Sequence, residues 1–131
     1  MASASYLDTS ALVKLLVHER ESEALVQYMQ TSRRVLSSVL SRVETVRACR
    51  RARIPAADAV DLMGVVESIT LDPGVVRVAG ALSPASLRSL DAIHLASAQQ
   101  VDDPGLDFVT YDSRLADAAR DHGLRVVQPG R

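Results

Sequence analysis

Four carboxylates stand where a merely solvated acid is not expected. The chain holds sixteen Asp and Glu, so only the misplaced ones are informative. Asp8, in "YLDTSALVKLL", ends a short apolar run and is followed by two hydroxyls and an apolar helical pattern. Asp112 repeats that arrangement in "FVTYDSRLADAA". In open α/β sheets, ligands bind beyond the carboxyl ends of the strands, so two strand-end acids on neighbouring strands would share a site. Each also has an ordinary explanation, because Asp, Thr and Ser are favoured helix N-caps. Taken singly, the two stretches leave cap and catalyst open.

Asp91 carries more weight. With "LRSLDAIHLASA" (Leu87 to Ala98) read as a helix, Leu87, His94, Leu95 and Ala98 fall on the same side as Asp91 at about 100° per residue. A carboxylate centred on an apolar face needs a partner or a metal, and His94 at i+3 is the ordinary partner. Glu44, in "LSRVETVRACRRAR", borders a core side marked by Val39, Val43 and Val46. Arg47 at i+3 and Arg51 at i+7 share its side. A surface ion pair of about 0.3–0.5 kcal/mol is the ordinary reading there.

Together these acids imply more than each does alone. Several carboxylates at one sheet edge repel by several kcal/mol in a low dielectric, and a divalent cation removes that repulsion. All-oxygen ligands favour Mg²⁺ or Mn²⁺ over Zn²⁺. The sole Cys, Cys49, and the scattered His18, His94 and His122 have no zinc-ligand spacing. Mg²⁺ held by carboxylates meets phosphate oxygens, which is the chemistry of phosphodiester hydrolysis.

The positioning elements follow from apolar runs and breakers. Strands are expected at Ala4–Leu7, Arg34–Ser38, Ser68–Leu71, Asp107–Thr110 and Arg125–Val127. Helices are expected at Ser10–Val17, Glu21–Gln30, Val39–Arg53, from Pro55 to about Glu67, after Pro73 to about Leu82, from Ser83-Pro84 to about Val101, and at Ser113–Asp121 with Gly123 as its C-cap. The strands are apolar throughout rather than alternating, which indicates an α/β fold with a parallel sheet covered on both faces. A length of 131 residues suits one domain, residues 1–131. With 47% hydrophobic residues, 3% aromatics and no Trp, the core must be built from Val, Leu, Ile and Ala.

Charge and composition exclude other classes. A net charge of −1 rules out a uniformly basic nucleic-acid binder, although a basic patch still acts over about 8–10 Å. One Cys allows no internal disulfide and suits a reducing cytoplasm. The start lacks the basic and apolar regions of a signal peptide, and no run approaches the roughly 18 apolar residues of a membrane span. A cytoplasmic location without membrane attachment is expected.

"YLDTSALVKLL", "LSRVETVRA", "LRSLDAIHLASA" and "FVTYDSRLADAA" resemble, in that order, the acidic motifs of PIN-domain ribonucleases, above all the VapC toxins of bacterial toxin–antitoxin pairs. The likeness spans essentially the whole chain, and Asp8, Glu44, Asp91 and Asp112 match the family's four acids. The resemblance implies a three-layer α/β/α fold with a sheet of four to five parallel strands in the order 3-2-1-4-5. It implies Asp8 and Asp91 as the core Mg²⁺ ligands, with Mn²⁺ as a substitute. Glu44 and Asp112 complete the site or position the attacking water, and Thr9, Ser10 and Thr110 support the pocket. The expected partners are an RNA substrate and a VapB-like antitoxin whose C-terminal segment crosses the active-site groove. His94 is expected as a buried support for its helix rather than a ligand.

Two surfaces bear on those partners. Seven of the fifteen Lys and Arg lie at Arg33, Arg34, Arg42, Arg47, Arg50, Arg51 and Arg53. Such a run is ordinarily a solvated helix face, and beside an acidic pocket it also suits phosphate contacts, with Arg47 and Arg51 as candidates. Leu12, Leu16, Leu25, Tyr28 and Met29 could receive an antitoxin peptide, support a homodimer, or belong to the core. Other enzymes fit less well. A haloacid-dehalogenase-like phosphatase needs a second Asp where Ser10 stands. A receiver-like domain needs paired acids at the first strand and a late Lys, whereas the only Lys is Lys14. A non-catalytic RNA-binding module leaves the four acids unexplained, and an RNA-processing PIN nuclease that is not a toxin remains open.

Overall fold

The computed structural model describes residues 3–131. In chain order the elements are β1 (Ala4–Leu7), α1 (Thr9–Lys14), α2 (Ser22–Met29), β2 (Arg34–Ser38), α3 (Leu40–Arg51), α4 (Ala56–Val65), β3 (Glu67–Ile69), α5 (Pro73–Ala81), α6 (Ser89–Gln99), β4 (Leu106–Val109), α7 (Ser113–Asp121) and β5 (Arg125–Val127). The five strands form one all-parallel sheet in the order β3-β2-β1-β4-β5. The chain winds outward from β1 to β2 and β3, then crosses over to β4 and β5. The switch point therefore lies between β1 and β4.

Side-chain alternation along β1 and β4 builds two cores. Ala4, Tyr6, Leu106 and Phe108 face Leu95 and Ala98 of α6 and Leu115 and Ala119 of α7. The Tyr6 and Phe108 rings stack there with centroids 5.3 Å apart. Leu7 and Val109 face the opposite way, onto Leu12 of α1, Leu25 of α2 and Met63 of α4. Helices thus cover both faces, the three-layer arrangement expected for apolar parallel strands. Gly123 follows α7 at φ +81°, the left-handed conformation that a helix C-terminus favours. No helix among the described residues is long and apolar enough to cross a membrane.

Three expectations need correction. First, α6 begins at Ser89 rather than at Ser83-Pro84, because the chain turns over Pro84–Leu87 (Leu87 N–H to the Pro84 carbonyl, 2.9 Å) and Arg88 is extended. Leu87 still packs on the core, but from outside the helix. Second, the buried stripe of α3 is Ser41, Thr45 and Cys49, and Val43 is exposed. The small residues let α3 lie close to the sheet, where Ser41 Oγ meets Ser37 Oγ of β2 at 2.6 Å. Third, Leu12 and Leu25 are fully buried core residues and offer no surface to a partner.

Candidate active site

Register brings the strand-end acids to one place. Leu7 pairs with Val109, and the Asp8 N–H continues the ladder to the Val109 carbonyl at 3.2 Å. Asp8 and Thr110 therefore leave neighbouring strands side by side at the switch point. Thr110 Oγ1 donates to Asp8 Oδ2 at 2.6 Å and Ser10 Oγ donates to Oδ1 at 2.7 Å. The Ala11 N–H also reaches Oδ1, at 3.0 Å, which makes Asp8 itself the N-cap of α1. Cap and candidate ligand are thus one residue, not a role divided between Asp8 and the two hydroxyls after it. Asp8 is only 4% exposed. Burial pushes its carboxyl above the ordinary range, against the opposing pull of His94 and of the Thr110, Ser10 and Ala11 donors.

Glu44 enters from α3, and its carboxylate turns away from the arginines of its own helix. Among the described residues neither Arg47 nor Arg51 pairs with it. Oε1 instead accepts from Thr9 Oγ1 at 2.6 Å and meets His94 Nε2 at 3.2 Å. On the far side of the ring, His94 Nδ1 lies 2.7 Å from the Tyr6 hydroxyl, which accepts the Ser38 N–H at 3.2 Å. The Glu44 carboxylate can only accept, so the network assigns a proton to Nε2, with the Tyr6 hydroxyl as the donor to Nδ1. Burial raises the Glu44 carboxyl, but the bonds from His94 and Thr9 outweigh it and leave the group below its ordinary value. His94 is buried, as expected, and its ring bridges Tyr6 and Glu44.

Asp91 and Asp112 share a partner that sequence reasoning missed. Arg88 Nε donates to Asp91 Oδ2 and its Nη2 to Asp112 Oδ2, both at 2.9 Å. The signal was an Arg three residues before Asp91 in "RSLD". Asp112 Oδ1 meanwhile caps α7 through the Arg114 and Leu115 N–H groups. Each strand-end Asp therefore spends one oxygen, Oδ1, on the start of a helix, while Oδ2 of Asp8 accepts from Thr110 and Oδ2 of Asp112 from Arg88.

Asp8, Thr9, Ser10, Glu44, Arg88, Asp91, His94 and Asp112 line one cavity of about 280 Å³. Thr110 stands behind it, against Asp8. Arg47 and Arg51 are exposed on α3 and do not line this cavity. Among the described residues no three acidic, His or Cys side chains converge closely enough to hold a metal ion as they stand. The donor chemistry nevertheless suits a hard divalent cation. Asp8 is a buried carboxylate whose partners are all neutral, and the other three acids add only oxygen atoms.

A parallel sheet in this order, with four acids at its switch point, defines the PIN class of α/β domains. The chain belongs to that family: the PIN domain model matches residues 5–121. It is 43% identical to Ribonuclease VapC46 of Mycobacterium tuberculosis (strain ATCC 25618 / H37Rv), covering 97% of this chain and 98% of the relative. It is 41% identical to Ribonuclease VapC35 of the same strain, covering 96% and 97%. Solved structures agree on the fold. Mycobacterium tuberculosis VapC20, a sarcin-ricin loop cleaving toxin, superposes with a TM-score of 0.75 at 16% identity, covering 95% of this chain and 99% of that one. A toxin–antitoxin complex from Klebsiella pneumoniae gives 0.69 at 19% identity, covering 84% and 88%.

Proposed function

We propose that this protein is a Mg²⁺- or Mn²⁺-dependent endoribonuclease and the toxin of a toxin–antitoxin pair. The observation that carries the reading is the convergence of Asp8, Glu44, Asp91 and Asp112, from four separate segments, on one cavity at the switch point. The two Ribonuclease VapC relatives, matched over nearly their whole lengths, support the same activity.

Asp8 and Asp91 are the residues that would hold the cation. When bound, it supplies positive charge beside the acids and the scissile phosphate. The remaining steps belong to the chain. Thr110, Ser10 and the Ala11 N–H fix the Asp8 carboxylate in place before any substrate arrives. Thr9 and His94 both bond Glu44 Oε1, and Oε2 has no protein partner among the described residues. Oε2 is thus the atom able to take a proton from an attacking water. The water oxygen bonds to phosphorus and its proton passes to Glu44; the phosphorus–oxygen bond to the departing nucleotide breaks with its electron pair on that oxygen, which takes a proton from solvent. Asp112, anchored to the N-terminal end of α7, also lines the cavity.

Exposed Arg47 and Arg51 are available for RNA phosphates outside the cavity. Contacts of that kind position a strand without reading its sequence. Besides the active-site groove, a further surface is available to an antitoxin segment or to a second copy of the chain. Leu15, Val26, Met29, Leu62 and Val65 line an apolar groove of about 330 Å³ between α2 and α4, and Val26 and Val65 are exposed there.

The test is cleavage of RNA by the purified, antitoxin-free protein with Mn²⁺ present. Wild-type protein is expected to cut. Asp8→Asn and Asp91→Asn are expected to lose at least about 100-fold in rate while staying folded by circular dichroism. Absence of cleavage by wild type, or normal cleavage by both variants, overturns the reading.

A further inference from the structure

Arg88 occupies the place in the acid cluster where charge must be balanced. It is the last residue before α6, in an extended conformation. Its guanidinium spans two elements, with one nitrogen on Asp91 Oδ2 and another on Asp112 Oδ2, each at 2.9 Å. Asp91 and Asp112 are tied down by the helices that carry them. Arg88 is not: its side chain is 55% exposed, against 10% for Asp91. A planar fork satisfies two carboxylates at once. It also occupies one oxygen, Oδ2, of each acid.

From this geometry we propose that Arg88 is a built-in counter-ion that competes with the divalent cation for Asp91 and Asp112. Without metal it neutralises the two acids, each of which gives it one oxygen at 2.9 Å. A cation that binds must displace the guanidinium from Asp91. The exposed side chain can then swing into solvent or onto a phosphate of the RNA with little repacking. Arg88 is therefore a positioning residue that sets metal affinity. The inference rests on the metal-dependent reading above, and it makes a claim that cleavage assays alone do not reach.

The experiment is Mn²⁺ binding, without RNA, followed by electron paramagnetic resonance and by the Mn²⁺-induced rise in Tm. Arg88→Gln is expected to bind Mn²⁺ at least about tenfold more tightly than wild type, since a positive charge against two carboxylates has been removed. Its Tm without metal is expected to be lower and its rise with Mn²⁺ larger. Arg88→Lys keeps the charge but loses the fork, and is expected to lie between the two. Arg114 lies on the neighbouring cavity beside Asp117 and Asp121, and Arg114→Gln reports the long-range effect of losing one charge. It is expected to shift affinity less than about twofold, because exposed charges are screened. Equal Mn²⁺ affinity in wild type and Arg88→Gln, or an equal gain in Arg114→Gln, overturns the proposal while leaving the metal reading intact. Failure of both wild type and Arg88→Gln to bind Mn²⁺ overturns the two together.

Discussion

Two buried aspartates on adjacent strands have opposite surroundings. Asp107 of β4 is 3% exposed and Asp8, just beyond β1, is 4% exposed. Asp107 accepts from the Arg125 guanidinium of β5 and from the Tyr28 hydroxyl of α2. Tyr28 is fixed in turn by Ser5 Oγ at 2.9 Å, and burial together with the Asp107 bond pushes its hydroxyl up to about 12. Asp8 accepts only from two hydroxyls and a backbone N–H. A buried carboxylate with a cation on it is a closed structural pair, whereas one with neutral donors has its charge uncompensated. The difference separates a residue that holds the sheet together from one arranged to receive something. Neither burial nor residue type makes that distinction; the partners do.

Substitution at the two positions should therefore divide activity from stability. The largest effect is expected at Asp8. Asp8→Asn loses cleavage, as above, yet without divalent ions its Tm rises, because the carboxyl held above its ordinary value by burial is gone. A fall in Tm of several degrees would show that Asp8 is held as tightly as Asp107. Asp107→Ala should do the reverse. It strands Tyr28 and frees Arg125, costing about 1–3 kcal/mol in urea unfolding, and leaves cleavage per folded molecule unchanged.

A smaller effect tests the link from Tyr6 through His94 to Glu44. His94→Gln places a nitrogen near the position of Nε2 and can still reach Glu44. His94→Asn places one near Nδ1 and keeps only Tyr6. If orientation of Glu44 matters, the Asn variant loses about tenfold in cleavage rate, roughly 1.4 kcal/mol of barrier, and the Gln variant less. Equal losses would reduce His94 to a core residue.

The smallest effect concerns a third carboxylate, far from the cavity. Lys14 Nζ donates to Glu21 at 3.0 Å and holds its carboxyl below the ordinary 4.5. A depressed folded value means that the contribution to stability is complete above about pH 4.5 and is lost as the pH falls through the lower folded value. The Tm difference between wild type and Glu21→Gln should thus stay constant from about pH 7 to 5 and shrink below that. A difference that grows on acidification would contradict the pairing.

Much of this architecture is written locally. Apolar four-residue runs such as Ala4–Leu7, each followed by a helical period, specify strands buried on both faces. Asp8, Asp91 and Asp112 were recognisable because an acid inside an apolar pattern is conspicuous whatever its partners. Asp107 carries the same signal, an acid at the head of "DFV", but local pattern alone does not separate it from the strand it belongs to.

What the sequence could not decide is pairing across distance. Glu44 has arginines three and seven positions along its own helix, and local spacing favours them. Its partners are Thr9 and His94, 35 and 50 residues away in sequence, because α1 packs on α3 while α6 packs on β2, the strand that leads into α3. Arg88 reads as a loop charge until α6 and α7 set Asp91 and Asp112 within one guanidinium's reach. The residue types that can bind a cation were determined by the sequence itself. Which of them remain uncompensated was decided by tertiary structure alone, since electrostatic compensation depends on distances of a few ångströms between residues that local periodicity never relates.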